Sequence, residues 1–296
     1  MGMTLIFQYS FIVVALGTMC LAISTGIVGT ISILKRQSLI GDAVGHASFP
    51  GIVLAFIIAG RKDSLTLMTG AIIAGVCAFF IIQSVVNSSK LEADTTMAII
   101  LSAMFGFGMV LKSYIQGNSS FSGSQAGLAN YIFGQAAYML KEDVIIIFCV
   151  SIISILLFLI FFKEIKIHVF DEAYAETLGI KKNIISVLII IITMLLIAAG
   201  LKAVGVVLIS SMLITPGVIG MQWSKRYESV LIIAAISGAV SALIGTSVST
   251  LVKGMSTGPS IILCMTAIAF FSVLCGPYGI IASKIRIGKL RMRKDD

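Results

Sequence analysis

Nine long apolar runs dominate the chain, and each is long enough to cross a lipid bilayer as a helix. They lie at residues 6–34, 38–60, 64–87, 95–116, 143–163, 183–201, 203–222, 229–252 and 258–282. A shorter apolar stretch at 126–140 follows a run of glycine, serine and asparagine, which favours a partial helix that does not span. The pattern predicts an all-α polytopic membrane protein with about eight to nine transmembrane helices and one partial helix.

Composition supports the same class. Hydrophobic residues make up 58% of the 296 residues, charged residues make up only 11%, and the mean hydropathy is +1.09. A soluble domain carries roughly 25% charged residues to cover its surface, so most of this exterior requires lipid. We expect residues 1–296 to form a single transmembrane domain, because the short loops leave no room for a sizeable soluble one.

The net charge of +8 reflects basic residues that gather in the loops predicted to lie on one side of the membrane. Placing the C-terminus in the cytoplasm puts 15 of the 21 Lys and Arg residues on the cytoplasmic side, a distribution typical of membrane proteins. Part of this surplus forms a basic cytoplasmic tail at 283–296. The basic residues therefore indicate orientation, and we expect no nucleic-acid partner.

The second apolar run contains an aspartate and a histidine, Asp42 and His46, four residues apart. This spacing puts both side chains on one face of a helix. A carboxylate inside a spanning helix is costly unless it meets water, a cation or a partner, so it marks a candidate functional site. A carboxylate oxygen and an imidazole nitrogen together suit Mn²⁺, Fe²⁺ or Zn²⁺. The alternative is a buried pair that only neutralises itself.

Two further places are candidate pathway positions. Ser210, Ser211 and Thr215 bring hydroxyl groups to mid-span just before Pro216, which frees a backbone carbonyl. Hydrogen bonding between helices would explain these hydroxyls equally well. Asp94 lies at the start of the fourth run, where a carboxylate also serves as a helix cap.

The segment 164–182 is predicted to lie in the cytoplasm and mixes acidic with basic residues. Its pattern predicts a short amphipathic surface helix, with a plain connecting loop as the alternative. The pattern assigns no role to His168, which falls among basic residues. The sequence contains no G-x-x-x-x-G-K-[ST] phosphate-binding loop, so nucleotide hydrolysis would need a partner. It also lacks H-E-x-x-H, which argues against an intramembrane metal-dependent hydrolase.

At four separated segments the sequence resembles the permease subunits of bacterial ABC importers for manganese, zinc and iron(II), the ABC-3 metal permease family. The matching motifs are RQSLIGDAVGHASFPG at 36–51, YIFG at 131–134, FDEAYA with LGI at 170–180, and LKAVGVVLISS from 201, which leads to Pro216. They occur in family order over most of the chain. Gly45 stands where many relatives have serine, which removes a hydroxyl ligand beside His46.

The resemblance implies that two such permeases, identical or related, pair with cytoplasmic ATPase subunits in the bacterial cytoplasmic membrane. It implies an extracytoplasmic metal-binding protein as donor, and a metal pathway lined by Asp42 and His46. It further implies that the third motif couples the spans to the ATPase. The residues that would do so are Asp171, Glu172, Ala173, Ala175, Leu178 and Gly179.

Our hypothesis is a permease, not itself an enzyme, that moves a divalent transition metal inward by alternating access. It would hold no permanent cofactor, and ATP would be used by the separate subunit. A single intramembrane histidine favours manganese or iron over zinc, because zinc sites more often gather several nitrogen or sulfur ligands. The alternative is an ion-coupled secondary transporter, in which Asp42 binds a proton or sodium and no ATPase is needed.

Overall fold

A computed structural model describes residues 9–60, 63–118, 134, 139–252, 255–282 and 284. Within these ranges the backbone forms helices joined by short turns and contains no strand. In chain order the helices are α1 Tyr9–Leu34, α2 Ile40–Ala59, α3 Ser64–Ser88, α4 Ala93–Gly117, α5 Lys141–Ile160, α6 Phe162–Phe170, α7 Glu172–Thr177, α8 Lys182–Trp223, α9 Tyr227–Leu251 and α10 Thr257–Cys275. The predicted all-α class is confirmed.

In the part of the chain that the structure describes, nine helical segments are long and apolar enough to cross a membrane, and they coincide with the nine predicted runs. The sixth and seventh, Lys182–Leu201 and Ala203–Trp223, both belong to α8, which is interrupted at Gly205 (φ 79°, ψ 168°). A Cβ added to Gly200 would lie 2.5 Å from Cδ1 of Ile209. In a straight helix these positions would be about 14 Å apart along the axis, so the chain folds back near Gly205.

Helix α8 forms the centre of the bundle and packs against α1, α2, α3, α5, α9 and α10. The close approach of α1 depends on Gly29, because a Cβ there would collide with the backbone of Leu213. Small residues at such crossings let helix backbones meet in a bilayer, where apolar burial alone does not drive association. At this crossing, α1 and α8 therefore meet through a backbone contact rather than through a layer of large side chains.

Helix α2 lies between α3, α8 and α4. Gly51 of α2 faces Gly70 of α3 so closely that a Cβ on either would strike the other's carbonyl oxygen. Gly108 of α4 lies against Phe49 and Pro50 of α2. Only 11% of the most apolar part of α4 is buried, against 71% for the second half of α8. Most of the surface of α4 is thus exposed in this single chain.

The segment after α5 contains more helix than the sequence predicts, because α6 and α7 both lie there. Asp171 begins α7, with its Oδ1 accepting a hydrogen bond from the Tyr174 N–H at 2.9 Å. Gly179 ends it in the left-handed region (φ 79°), and Ile180 donates its N–H to the Ala175 carbonyl at 3.0 Å. This pairing of an N-cap with a glycine C-cap explains how so short a helix is held.

His168, to which the sequence pattern assigns no role among its basic neighbours, is a buried residue of a helix. Its side chain lies in α6 and is 0% exposed. Neighbouring Ile165 is also buried, in a small apolar cluster with Ile31 and Phe158. The spacing of Ile165 and His168, three residues apart on one helix face, is the signal that would have indicated burial.

Two predicted features fall mainly on residues that the structure does not describe. They are the partial helix at 126–140, of which Gly134, Met139 and Leu140 are described, and the basic tail at 283–296, of which Lys284 is described. Gly134 adopts a positive φ of 72° and lies against the backbone of Val204, beside the bend in α8. Any larger residue at 134 would collide with that backbone.

Candidate metal pathway site

Asp42 and His46 lie one turn apart in the first half of α2, as the spacing predicts. The distance from His46 Nε2 to Asp42 Oδ1 is 3.5 Å, and the side chains are 15% and 36% exposed, respectively. Two ligand atoms that each bind one ion at about 2.1 Å lie roughly 3.0–3.4 Å apart for ligand angles between 90° and 109°. A small side-chain adjustment would therefore let both atoms bind the same divalent ion.

The imidazole of His46 is not satisfied by Asp42 alone. Its Nδ1 is buried and has no hydrogen-bond partner among the described residues. A buried polar atom left in this state costs about 1–3 kcal/mol. Because Nε2 faces Asp42, Nε2 is the nitrogen available to an ion, and the unpaired Nδ1 is a separate cost that the buried Nδ1 of His168 shares.

A backbone oxygen is also released close to this pair. Pro50 lies within α2 and has no N–H, so the carbonyl of His46, four residues earlier, lacks its ordinary helical donor. Such carbonyls at membrane depth are tolerated where they face a pathway or a polar group. The turn from His46 to Pro50 therefore offers a nitrogen and an oxygen in addition to the Asp42 carboxylate.

Phe105 of α4 holds the imidazole from the side. Its ring centroid lies 5.0 Å from that of His46 at an interplanar angle of 86°, and it lies 6.2 Å from the ring of Phe49. Such edge-to-face contacts restrict ring orientation. Sequence reasoning missed Phe105, because an aromatic residue in an apolar run carries no sign of which helix it will meet.

The second half of α8 runs antiparallel to α2 at this level. A Cβ on Gly45 would lie 3.2 Å from Val206, and one on Gly41 would lie 3.0 Å from Leu213. Residues 210–211 lie between these two contacts along α8. The structure therefore brings the predicted serines to the level of the Asp42–His46 pair, although on a neighbouring helix.

The individual hydroxyls differ in their surroundings. Ser210 is buried and donates a hydrogen bond to the Val206 carbonyl at 3.2 Å. Ser211 and Thr215 are half-buried. All three positions remain predictions for the pathway. In this conformation the Ser210 hydroxyl is hydrogen-bonded within its own helix.

Asp94 is not brought to the pair. It lies in the first turn of α4, eleven positions before Phe105, which corresponds to about 16 Å along the helix. A carboxylate in a first turn is stabilised by the helix N-terminus. The structure thus places Asp94 where the capping interpretation applies.

The predicted coupling residues lie together on α7 and at its ends. Asp171 and Gly179 make the two caps described above, and Ala175 is the one buried member. The others are exposed: Glu172, Ala173 and Leu178. Nearby Tyr174 is 54% exposed, so the helix presents an apolar and acidic surface.

Among the described residues, nine helical segments are long and apolar enough to span a bilayer, which indicates a membrane protein rather than a soluble enzyme. The model of the ABC 3 transport family matches residues 8–276, and the chain belongs to this family. The resemblance drawn from the four motifs is confirmed. The chain is a multi-pass membrane protein and a transport subunit, not an enzyme.

Named relatives cover most of this chain. The manganese transport system membrane protein MntC of Bacillus subtilis is 41% identical over 278 residues, which are 94% of this chain and 63% of that protein. This chain thus spans less than two thirds of that relative's length. The zinc transport system membrane protein TroC of Treponema pallidum is 36% identical over 275 residues, covering 93% of this chain and 92% of that protein.

A solved structure shares the fold. It is described as PsaBC from Streptococcus pneumoniae in complex with Fab, and one of its chains aligns with a TM-score of 0.82 at 27% identity. The alignment covers 94% of this chain and 96% of that one. The predicted helical permease fold is therefore confirmed.

Proposed function

We propose that this chain is the permease subunit of an ATP-driven importer for a divalent transition metal. The observation that carries the proposal is the Asp42–His46 pair, set within an apolar helix with Nε2 and Oδ1 3.5 Å apart and both side chains partly accessible. Similarity to proteins named for manganese and zinc transport supports it. One carboxylate with one imidazole favours Mn²⁺, with Fe²⁺ and Zn²⁺ as further cargoes.

The pair would bind its ion only during passage. Asp42 and His46 supply two side-chain ligands, whereas a closed structural zinc site has four. Incomplete coordination suits a pathway, because a bound ion must also leave. The serines at 210–211 would offer weak oxygen ligands at the same level, and Asp94 would contribute only if the conformation changed.

A second permease copy, identical or related, would complete the pathway. The exposed surface of α4 lies next to α2, and α4 carries Phe105, which touches His46. A partner packed on α4 would cover an apolar surface and bring its own ligands close to this pair. Closed two-fold symmetry is the commonest way for such a surface to be covered.

ATP hydrolysis would take place on a separate cytoplasmic subunit. The sequence has no phosphate-binding loop, and the exposed helix α7 offers Glu172, Ala173, Tyr174 and Leu178 as a docking surface. Residues 164–182 would thus form the coupling segment. Metal would arrive from an extracytoplasmic binding protein, and with the C-terminus in the cytoplasm the chain would lie in the bacterial cytoplasmic membrane.

Reconstitution tests this proposal. The chain should be purified with the ATPase that accompanies it, placed in proteoliposomes with the binding protein, and supplied with Mn²⁺, Zn²⁺ or Fe²⁺ in turn. We expect metal-dependent ATP hydrolysis and uptake, strongest with Mn²⁺. Uptake driven by a proton or sodium gradient, without any ATPase, would overturn the proposal in favour of the secondary transporter.

A further inference from the structure

A second histidine–carboxylate pair lies at the cytoplasmic end of the bundle, around the buried His168. Its Nε2 lies 3.5 Å from Oε1 of Glu172. The Lys35 ammonium lies 2.9 Å from the same Nε2 and 3.8 Å from the same carboxylate oxygen. Ser186 Oγ is 3.2 Å from Nε2. The four side chains join the end of α1 to α6, α7 and the start of α8.

The hydrogen bonds define the charge state of this cluster. Lysine has only donors, so Nε2 of His168 must accept from Lys35, and the imidazole is neutral. Burial and the charge of Lys35 lower the pKa of His168, against the opposing attraction of Glu172. Burial also lowers the pKa of Lys35, which Glu172 partly offsets. The ammonium of Lys35 thus lies close to both His168 and Glu172.

Lys35 stands at a tight junction between α1 and α2. Gln37 donates its N–H to the Ser32 carbonyl at 2.8 Å, and Arg36 donates to Ile33 at 3.0 Å, the pattern of a helix end that usually holds glycine. Here Arg36 adopts the left-handed conformation (φ 56°), which is strained for a residue with a side chain. The junction is therefore short and stiff, and it leads directly into α2.

A cavity of about 290 Å³ adjoins the cluster. Lys35 and Glu172 line it together with Gln37, Gln83 and Thr193, so one side of the ion pair faces open space rather than packed core. Glu172 is also 53% exposed, whereas the His168 side chain is fully buried. The carboxylate can therefore shift with α7 while the imidazole stays fixed.

We propose that Lys35 is a positioning residue for transport, which ties α7 to the junction before α2. Movement of α7 on its ATPase would be passed through Glu172 and Lys35 to the helix that carries Asp42 and His46. Lys35 precedes Asp42 by seven residues, so the link is a short length of backbone. This inference rests on the proposed function, and it assigns the contact that connects ATP hydrolysis to the metal pair.

The same four groups do not form a second metal site. The ammonium of Lys35 already lies within hydrogen-bond distance of the imidazole nitrogen that a metal would use. An added divalent ion would have to displace it or stand beside a positive charge. The cluster is therefore a contact between helices, held by a cation that belongs to the protein.

Lys35→Met tests the proposal, with Lys35→Arg as the charge-preserving variant and Lys90→Met as the control. Lys90 is an exposed lysine between α3 and α4. In proteoliposomes of the complete complex, we expect Lys35→Met to lower metal uptake about tenfold while ATP hydrolysis stays within about twofold. Lys35→Arg should restore most of the ratio of metal moved to ATP hydrolysed, and Lys90→Met should leave that ratio unchanged.

Two outcomes would overturn the assignment. One is normal uptake per ATP in Lys35→Met; the other is an equal loss of uptake and hydrolysis, which would indicate a purely structural lysine. If Lys35→Met does not assemble, Glu172→Gln replaces it, because this carboxylate is half exposed. A Lys35→Met, Glu172→Gln double variant should be no worse than Lys35→Met alone. Absence of uptake in the unmodified complex would instead overturn the proposed function.

Discussion

The two histidines of the chain show how one local geometry is put to two uses. His46 lies 3.5 Å from Asp42, and His168 lies 3.5 Å from Glu172, each pair four residues apart. Beside His168, Lys35 at the end of α1 supplies a positively charged ammonium. Beside His46 a second helix, α4, supplies Phe105, which contacts the ring but brings no charge. This difference supports the proposal that the Asp42–His46 pair is the one that takes a metal.

Burial separates the pairs further. The His168 side chain is fully buried and neutral, and its Nε2 accepts a hydrogen bond from Lys35, with Ser186 Oγ 3.2 Å away. His46 is 15% exposed, and Asp42 is 36% exposed, so an ion can reach both. At His168 and Glu172, the ammonium of Lys35 holds the pair together within the protein. At Asp42 and His46, the side chains are accessible, so we expect a bound ion to exchange with its surroundings. The variants below test this difference, from the largest effect to the smallest.

Asp42→Asn and His46→Gln should abolish metal uptake. Each removes one of the two side-chain ligands that the chain supplies, so we expect uptake at limiting metal to fall by at least about 100-fold. The control Lys90→Met, at an exposed lysine away from both pairs, should retain uptake. Radiolabelled Mn²⁺ uptake in cells with equal amounts of each variant in the membrane checks this. Near-normal uptake by both Asp42→Asn and His46→Gln would break the comparison.

Metal should stabilise the chain through the first pair only. At 100 times its Kd an ion adds about 2.7 kcal/mol to the stability of the state that binds it, and we expect a rise in Tm of about 5 °C. The rise should be lost in Asp42→Asn and kept in Glu172→Gln. Thermal unfolding of the detergent-solubilised complex with and without Mn²⁺ measures it. An equal rise in Asp42→Asn would place the ion elsewhere.

Acidification should loosen the second pair. Because burial and the charges of Lys35 and Lys182 lower the pKa of His168, opposed only by Glu172, the closed cluster favours the neutral imidazole. When the cluster opens and exposes His168, the imidazole takes up a proton as the pH falls below its ordinary pKa of about 6.5, whereas the buried imidazole of the intact cluster does so only at lower pH. The intact cluster therefore loses stability relative to the opened one until the lowered pKa of the buried imidazole is passed. The slope for one group is at most about 1.4 kcal/mol per pH unit.

Hydrogen exchange of α7 between pH 7.5 and 5.5 would measure this loosening, after correction for the intrinsic effect of pH. Exchange of α7 should become relatively faster at the lower pH. In His168→Asn this extra acceleration should vanish, since an amide does not titrate in this range. A pH dependence that persists in His168→Asn would assign the effect to another group.

Phe105→Leu should have the smallest effect on transport. It removes an edge-to-face contact worth about 0.5–1.5 kcal/mol but leaves both ligands in place, so we expect a loss of about two- to tenfold in apparent metal affinity. Phe148→Leu is the control, because that ring is 54% exposed on α5, away from the α4 surface. Uptake measured against metal concentration distinguishes them. An equal effect in the control would show that the ring contact does not position His46.

Periodicity and residue chemistry were sufficient to predict much of this fold and the first pair. The nine apolar runs correspond to nine spanning segments in the described part of the chain, because each helix must satisfy its own backbone within the bilayer. Asp42 and His46 could be paired from their spacing alone, since both lie on one helix. The reversal within α8 was also predictable from the sequence, because residues 183–201 and 203–222 form two apolar runs that are each long enough to span.

Long-range contacts could not be predicted in this way. Nothing in the sequence indicates that Phe105 touches His46 or that Lys35 reaches His168, since each contact joins different helices. Ser210 and Asp94 looked equivalent as polar residues near apolar runs, yet one lies at the level of the pair and the other lies far along α4. Which helix neighbours which depends on close glycine contacts whose partners are set only when the bundle packs.

The sequence by itself determined that the chain spans a membrane and which face of α2 carries a carboxylate and an imidazole. These properties follow from local rules of bilayer thickness and helical repeat. The tertiary structure alone decided which of the two histidine–carboxylate pairs contains a resident cation. That choice depends on a lysine from a third helix, and the position of one helix beside another follows from packing across the whole bundle.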